Sequence, residues 1–377
     1  MKKYLLSLAV LMMGAALFTA CDKDDAPSIK DVDTSNGLFI VGSGNQRANI
    51  DGNVSYIDYT HGWSVQNIFQ QANGKSVGKT ANYILDYGTR VYVIVDAEAT
   101  IWVCNKNTMK VEKQISTTDL LGEVDGRSPR AALGQDGKVY FTCYGDSWNG
   151  GNGIVAAIDT IDFELQTTYT VGSYPDGLTF ANGSIYVANS DYGNCTNPSI
   201  SKINLATSEV EEIKDEAITN PMQMLTVGND VYSMDYGTYD EYWNQTGSGV
   251  RKITPSGEVS IVADGTSMCT DGQKVYSCQA LFGASGDAID YWIYDPATDT
   301  KTQWHPVDVF YPGVIAVDPV TGNIFIVSYQ KNPDTGYPAY ALPSYTNQYD
   351  AAGNFIRKYE NTATGPISVV FNTNIKK

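Results

Sequence analysis

The sequence predicts an all-β protein, a seven-bladed β-propeller, and three observations carry that reading. A short apolar strand with a central aromatic recurs seven times. Its copies are spaced as four-stranded units would be. The last segment of the chain supplies the one strand that the first unit lacks.

The recurring strand appears first as Gly37-Leu38-Phe39-Ile40-Val41 and Arg90-Val91-Tyr92-Val93-Ile94. It returns as Lys138-Val139-Tyr140-Phe141, Ser184-Ile185-Tyr186-Val187, Asp230-Val231-Tyr232-Ser233, Lys274-Val275-Tyr276-Ser277 and Asn323-Ile324-Phe325-Ile326. The aromatics Phe39, Tyr92, Tyr140, Tyr186, Tyr232, Tyr276 and Phe325 lie about 44–53 residues apart, the length of a propeller blade. Large rings at these positions fill the space between packed blades, so they are read as core and not as ligand contacts.

The remaining strands follow from turn chemistry. A short strand after Pro129, Pro175, Pro221 and Pro312 precedes the aromatic strand, and Asp136-Gly137, Asn182-Gly183 and Asp271-Gly272 supply tight turns between the two. Third strands follow at Ile101-Trp102-Val103, Val155–Ile158, Ser201–Ile203 and Tyr291–Tyr294. The C-terminal run Pro366–Phe371 reads as a first strand without a partner, and pairing it with residues 38–41 closes the ring and removes the open sheet edge. No periodic helix of about 12 residues or more is expected after the leader.

The first residues describe export. Lys2 and Lys3 precede an apolar stretch from Leu5 to Ala20, too short to span a bilayer of ordinary thickness. Small residues then lead into Cys21. This resembles the lipobox of bacterial lipoproteins, which implies cleavage after residue 20 and acylation of Cys21. The acidic run Asp22-Lys23-Asp24-Asp25 resembles the surface-export signal of Bacteroidota lipoproteins, which implies an outer-membrane protein facing the exterior. Residues 21–36 contain little to bury and read as a lipidated, flexible tether reaching roughly 20 Å. Residues 37–377 read as a single propeller domain.

Composition excludes several functions. The formal charge is −17, and −19 once Lys2 and Lys3 are gone, which opposes binding to nucleic acid or to an anionic lipid surface. The membrane is then met only through the lipid anchor. With two histidines, His61 and His305, a histidine metal cluster or two-imidazole chemistry is not expected. Besides Cys21 there are five cysteines, an odd number. Cys269 and Cys278 flank a turn, leaving either a cross-hairpin disulfide or free thiols. The segment Gly74–Thr80 mimics a phosphate-binding loop but is one residue short, and Ser76–Lys79 mimics a serine–lysine pair without companion motifs. Neither is read as chemistry. No catalytic residue, metal ligand or required cofactor is assigned, and a binding protein is expected rather than an enzyme.

The informative residues gather in loops that join second to third strands and each blade to the next, all on one face. They are rich in Tyr, Trp, Asn, Asp and Gly, the composition of a recognition surface. The expected ligand-binding residues are Arg127, Tyr144, Trp148, Tyr174, Asn189, Asp191, Tyr192, Asp235, Tyr236, Tyr239, Tyr242, Trp243, Tyr311 and Tyr329. Arg130 and Phe310 lie in the same interblade loops.

The leader, the Asp22–Asp25 run, the Val-Tyr strand repeat and the Tyr-rich loops together resemble the YncE-like seven-bladed propellers, and more narrowly the DUF5074 surface lipoproteins of Bacteroidota. That group includes BtuG-like cobalamin-binding lipoproteins. The resemblance implies capture of a corrinoid, vitamin B12, and its transfer to a TonB-dependent transporter of BtuB type. Cobalamin would be the ligand and not a cofactor. A glycan- or protein-binding propeller and a lactonase-like enzyme with a carboxylate-held metal are the alternatives.

Overall fold

The computed structural model describes residues 32–375. Cys21, the leader and residues 21–31 of the expected tether lie outside the described residues. Seven four-stranded antiparallel sheets form a seven-bladed β-propeller. In chain order from the channel outward, blade 2 is Ala81–Tyr87, Arg90–Val95, Thr100–Asn105 and Val111–Ser116. Blade 3 is Pro129–Gln135, Lys138–Cys143, Gly153–Asp159 and Leu165–Val171, and blade 4 is Pro175–Ala181, Ser184–Asn189, Ser199–Asn204 and Val210–Ile213. Blade 5 is Pro221–Val227, Asp230–Asp235, Gly249–Ile253 and Val259–Ala263. Blade 6 is Ser267–Thr270, Val275–Gln279, Asp290–Asp295 and Thr300–Trp304, and blade 7 is Tyr311–Val317, Ile324–Tyr329, Tyr345–Tyr349 and Phe355–Tyr359.

Blade 1 is assembled from both ends of the domain: Pro366–Ile375 innermost, then Val32–Gly42, Asn53–Asp58 and Trp63–Val65. Leu38 pairs with Phe371, Phe39 with Val370, Ile40 with Val369 and Val41 with Ser368, as the sequence predicts. The strand begins earlier than expected, at Val32 instead of residue 37, because the closing strand continues past Phe371 and Ser35 pairs with Thr373.

Turn and strand chemistry explain the blade ends. Asp136 and Gly137 both take positive φ (50° and 70°), as do Asn182 and Gly183 (51° and 76°). Two successive left-handed residues make the turn whose twist matches a hairpin. Pro129, Pro175, Pro221 and Pro312 stand at the upper end of their strands, and the register slips immediately after each. Proline donates no N–H, so it fits the start of an edge strand, and the inner strands are edges facing the channel.

The core lies between blades. All seven repeat aromatics, Phe39 through Phe325, are buried there. At the seam between blades 2 and 3 the packing is tight: a β-carbon on Gly134 would lie 2.2 Å from Cδ2 of Tyr87, whose hydroxyl accepts from the Gly137 N–H at 2.9 Å. Helices are confined among the described residues to short segments such as Ile68–Asn73 and Thr117–Leu121. Gly74 closes the first of these, so the phosphate-loop mimic at residues 74–80 follows a helix instead of opening one.

All five described cysteines are free thiols. Cys269 pairs with Tyr276 and Cys278 with Ser267, so the two are diagonal neighbours in the hairpin. Diagonal positions lie about 7–8 Å apart, beyond the usual reach of a disulfide.

Candidate functional site

The inner strands enclose a channel of about 490 Å3, lined by all seven blades. On six of the seven blades the residue just inside the upper end of the inner strand lines it. Asn82, Arg130 and Asp176 form a polar half on blades 2–4, and Met222, Met268 and Ile367 form an apolar half on blades 5, 6 and 1. The upper face, where second-to-third loops emerge, is therefore a mouth with two chemically different sides.

A bonded charge cluster occupies the polar side. Arg130 donates to Asp96 Oδ2 at 2.6 Å and to Asp176 Oδ1 at 3.2 Å. Tyr144 donates its hydroxyl to the other Asp176 oxygen at 2.8 Å. Burial alone would weaken the Arg130 charge, but the Asp176 and Asp96 carboxylates outweigh it and hold the guanidinium firmly protonated. Burial, then the Asp176 charge, pushes the Tyr144 hydroxyl well above the usual phenol range, so it stays a donor.

Above this cluster stands a box of four rings. Tyr144 and Tyr174 meet edge-on with centroids 5.1 Å apart, and Trp148 lies 5.2 Å from Tyr174 and 5.1 Å from Tyr192. Tyr144 and Tyr174 are buried, while Trp148 and Tyr192 remain 47% and 57% exposed. Their backbones are shaped for display. Tyr174 and Tyr192 have φ of 52° and 53°, a region that costs an ordinary residue about 1–3 kcal/mol and persists where the surroundings impose it.

Blades 5–7 continue the aromatic wall. The loop after Asp235 folds into a two-residue hairpin, Thr238–Tyr239 with Gln245–Thr246, whose tip presents Tyr242 and Trp243 at 76% and 68% exposure. Trp243 also has a left-handed backbone, φ 65°, and its ring lies 6.1 Å from Tyr239. Tyr329 sits 6.1 Å from Tyr311 and 5.0 Å from Tyr340. Burial pushes the Tyr236 hydroxyl up, and the charge of Asp176 pushes it further. Tyr236 thus lies at the channel between the charge cluster and the second aromatic group. The Tyr311 hydroxyl is pushed up to about 12, mainly by burial, then by Tyr340.

No family model matches this chain. No curated protein matches it. Solved structures do resemble it. A Bacteroides uniformis protein described as a candidate 6-phosphogluconolactonase superposes with a TM-score of 0.60 at 12% identity, covering 90% of this chain and 100% of that one. A Bacteroides fragilis protein described in the same way gives 0.56 at 13% identity, covering 92% and 99%. Hydrazine synthase of Kuenenia stuttgartiensis gives 0.55 at 15% identity, covering 76% and 88%. At these identities the likeness shows the propeller fold alone.

Of the residues expected at the site, Tyr144, Trp148, Tyr174 and Tyr192 meet in one box, and Tyr236, Tyr239, Tyr311 and Tyr329 line the other side of the mouth. Tyr242 and Trp243 project from the hairpin above them. Arg127 lies half-exposed beside the box, 3.9 Å from Asp146. Three of the expected residues turn inward. Asn189 is fully buried, donating to Ser199 and Ser201 at 3.0 and 2.9 Å. Asp235 is fully buried too, accepting from the backbone of Thr219, Asn220 and Gly237. Both hold their loops from below through these bonds. Asp191 likewise is buried and binds the Thr196 and Asn197 N–H groups, which holds Tyr192 outward.

Asp96, Asp176 and Tyr340 belong to the mouth and escaped the sequence reading, and Arg130 was noted only as a loop residue. A signal existed for two of them. Arg130 and Asp176 each follow a repeated proline, and that repeat position is the one that points into the channel. Among the described residues no group of three or more His, Cys, Asp or Glu could hold a metal ion.

Proposed function

We propose that this protein is a cell-surface binding lipoprotein that captures a corrinoid of the vitamin B12 type on its upper face and passes it to a TonB-dependent outer-membrane transporter. The observation that supports this most is the aromatic arc running from Tyr144 on blade 3 to Tyr340 on blade 7 around a mouth whose floor is polar on one side and methionine-rich on the other. A corrinoid is broad, largely apolar across its face and rimmed with amides. Exposed Tyr and Trp offer large rigid contact at small entropic cost, and the Arg130–Asp176 side offers polar partners for the rim.

Titration of cyanocobalamin into the chain lacking residues 1–21, followed by calorimetry and by the ligand's visible absorbance, tests the reading. Saturable one-to-one binding, weakened by Trp148→Ala and Trp243→Ala, is the expected result. No heat and no spectral change at micromolar concentration would remove the corrinoid, and glycans would be screened next.

Lactone opening is a second reading. It is supported by the naming of two structural neighbours and by the carboxylate–arginine–tyrosine cluster at the channel mouth. Hydrolysis of 6-phosphogluconolactone above the spontaneous rate, lost in Asp176→Asn, would favour it over capture.

A further inference from the structure

The charge cluster leaves two polar atoms open at the channel mouth. Asn82 and Arg130 stand on the inner strands of neighbouring blades, each just inside the upper end, and both line the channel. They share one oxygen. Asp96 Oδ2 accepts from Arg130 Nη1 at 2.6 Å and from Asn82 Nδ2 at 3.3 Å, so the amide and the guanidinium lie side by side.

Each of the two is only partly used. The other partner of Asn82 Nδ2 is the Pro129 carbonyl at 3.5 Å. A carboxylate and a carbonyl can only accept, so the amide nitrogen must face them and Oδ1 is turned away. Arg130 gives Nε to Asp176 and Nη1 to Asp96, while its Nη2 amino group bonds no protein atom among the described residues. Neither Asn82 Oδ1 nor Arg130 Nη2 is among the unpartnered polar atoms sealed from solvent, so both remain reachable from the channel. One is an acceptor held in place, and the other is a donor on a cation that two carboxylates keep protonated.

We propose that Asn82 and Arg130 form a subsite for a primary carboxamide carried on a side arm of the captured ligand. The amide oxygen accepts from Arg130 Nη2, and the amide N–H donates to Asn82 Oδ1. The proposal rests on the capture reading for the ligand's body alone, which stays above on the aromatic arc. Both atoms sit one residue inside the mouth, within reach of a short arm. Charge and hydrogen count set the class. A carboxylate there would bring no hydrogen to Asn82 Oδ1 and would face two carboxylates against one guanidinium. An ammonium would leave Arg130 Nη2 without an acceptor. A carboxamide carries an acceptor and a donor on adjacent positions, one for each blade.

The test titrates benzamide, N,N-dimethylbenzamide and benzoate into the chain lacking residues 1–21, isotope-labelled at its methionine methyl groups and followed by NMR. Met222 and Met268 line the same mouth, and Met109 lies in the turn at the foot of blade 2. Benzamide should shift the Met222 and Met268 methyls saturably and leave Met109 unmoved, with the other two compounds at least about tenfold weaker. Asn82→Leu should erase the preference for benzamide over N,N-dimethylbenzamide. Absence of a benzamide shift at the mouth, equal affinities, or a preference that survives Asn82→Leu overturns the proposal. Stronger binding of methyl glucoside at Met222 and Met268 would assign the two atoms to hydroxyls and overturn it as well. Should Asn82→Leu fail to fold, the ranking of the three compounds on the parent chain decides. Cyanocobalamin separates the subsite from the capture reading. Binding left unchanged by Asn82→Leu overturns the subsite alone, and benzamide binding at the mouth without cyanocobalamin binding removes the capture reading alone.

Discussion

Arg130 and Tyr144 meet face-on at the channel mouth, with the guanidinium carbon 4.7 Å from the ring centroid. The cation thereby couples two kinds of contact: carboxylates from blades 2 and 4 in its plane, and the floor of the aromatic box across its face. Removing it strands Asp96 and Asp176. Arg130→Met should lower unfolding stability by about 3 kcal/mol, as loss of one partner from a buried ion pair does. Arg130→Lys should recover only part, since an ammonium lacks the planar fork that reaches both carboxylates. Urea denaturation of the three proteins provides the check; equal midpoints for Arg130→Met and the parent chain would contradict it.

Trp148 separates the proposed capture from folding. It is half-exposed and leans on Tyr174 and Tyr192 without closing any core. Trp148→Ala should shift the melting temperature little, yet weaken capture at the mouth by about 2 kcal/mol, roughly thirtyfold, as loss of an interface anchor does. Calorimetry on the variant measures both quantities in one preparation.

Backbone strain at Tyr192 predicts an inverse relation. Its left-handed conformation is cheap for Asn or Gly and costly for Tyr. Tyr192→Asn should therefore leave stability unchanged or raise it by up to about 1 kcal/mol, while ligand affinity falls. A large loss of stability in this variant would show that the ring holds the loop together.

Gly134 answers to Tyr87 across a blade seam. The β-carbon of Gly134→Ala would enter the Tyr87 ring, and overpacking of this kind costs about 1–3 kcal/mol. The double variant with Tyr87→Leu should lose less than the two single changes summed. Denaturant midpoints of the four proteins give that coupling directly.

Asp86 predicts a pH dependence. Burial raises its carboxyl to about 6, against the opposing pull of Lys106. A folded-state value above the unfolded one means that the proton favours the fold. Its contribution is therefore complete below about 4 and is lost as pH rises through about 6. The difference in melting temperature between the parent chain and Asp86→Asn, followed from pH 3 to pH 8, should change across about pH 4–6 in the direction of a weakening parent and level off above that. A flat difference would place the titration elsewhere.

The blades were legible because their determinants are local and repeated. Phe39, Tyr92, Tyr140 and their counterparts mark second strands, the prolines mark inner strands, and Asp136-Gly137 and Asn182-Gly183 specify their turns without reference to anything distant. The ring closure was legible because Pro366–Phe371 is apolar and has no local partner. The polar extension from Val32 was not, since Ser35 joins a strand only through Thr373 at the far end of the chain. At the mouth, composition picked out the exposed rings Trp148, Tyr192 and Trp243. It could not separate them from Asn189 and Asp235, which belong to the same Tyr-, Trp-, Asn- and Asp-rich segments but turn inward. Nor could it show that Asp96, Arg130 and Asp176, from three blades, share one set of bonds. That depends on how neighbouring blades are set side by side, which no single repeat encodes.

The shared construction of blade 1 also determines how the domain would carry a pull. Val32 starts its strand at the foot of the propeller, and Gly42 ends it at the mouth, flanked by Pro366–Ile375 on one side and Asn53–Asp58 on the other. A load applied between the chain leading into Val32 and a molecule gripped at the mouth runs along this strand. The ladder bonds on both flanks lie perpendicular to that direction, so they are strained together in shear and are not peeled open one at a time.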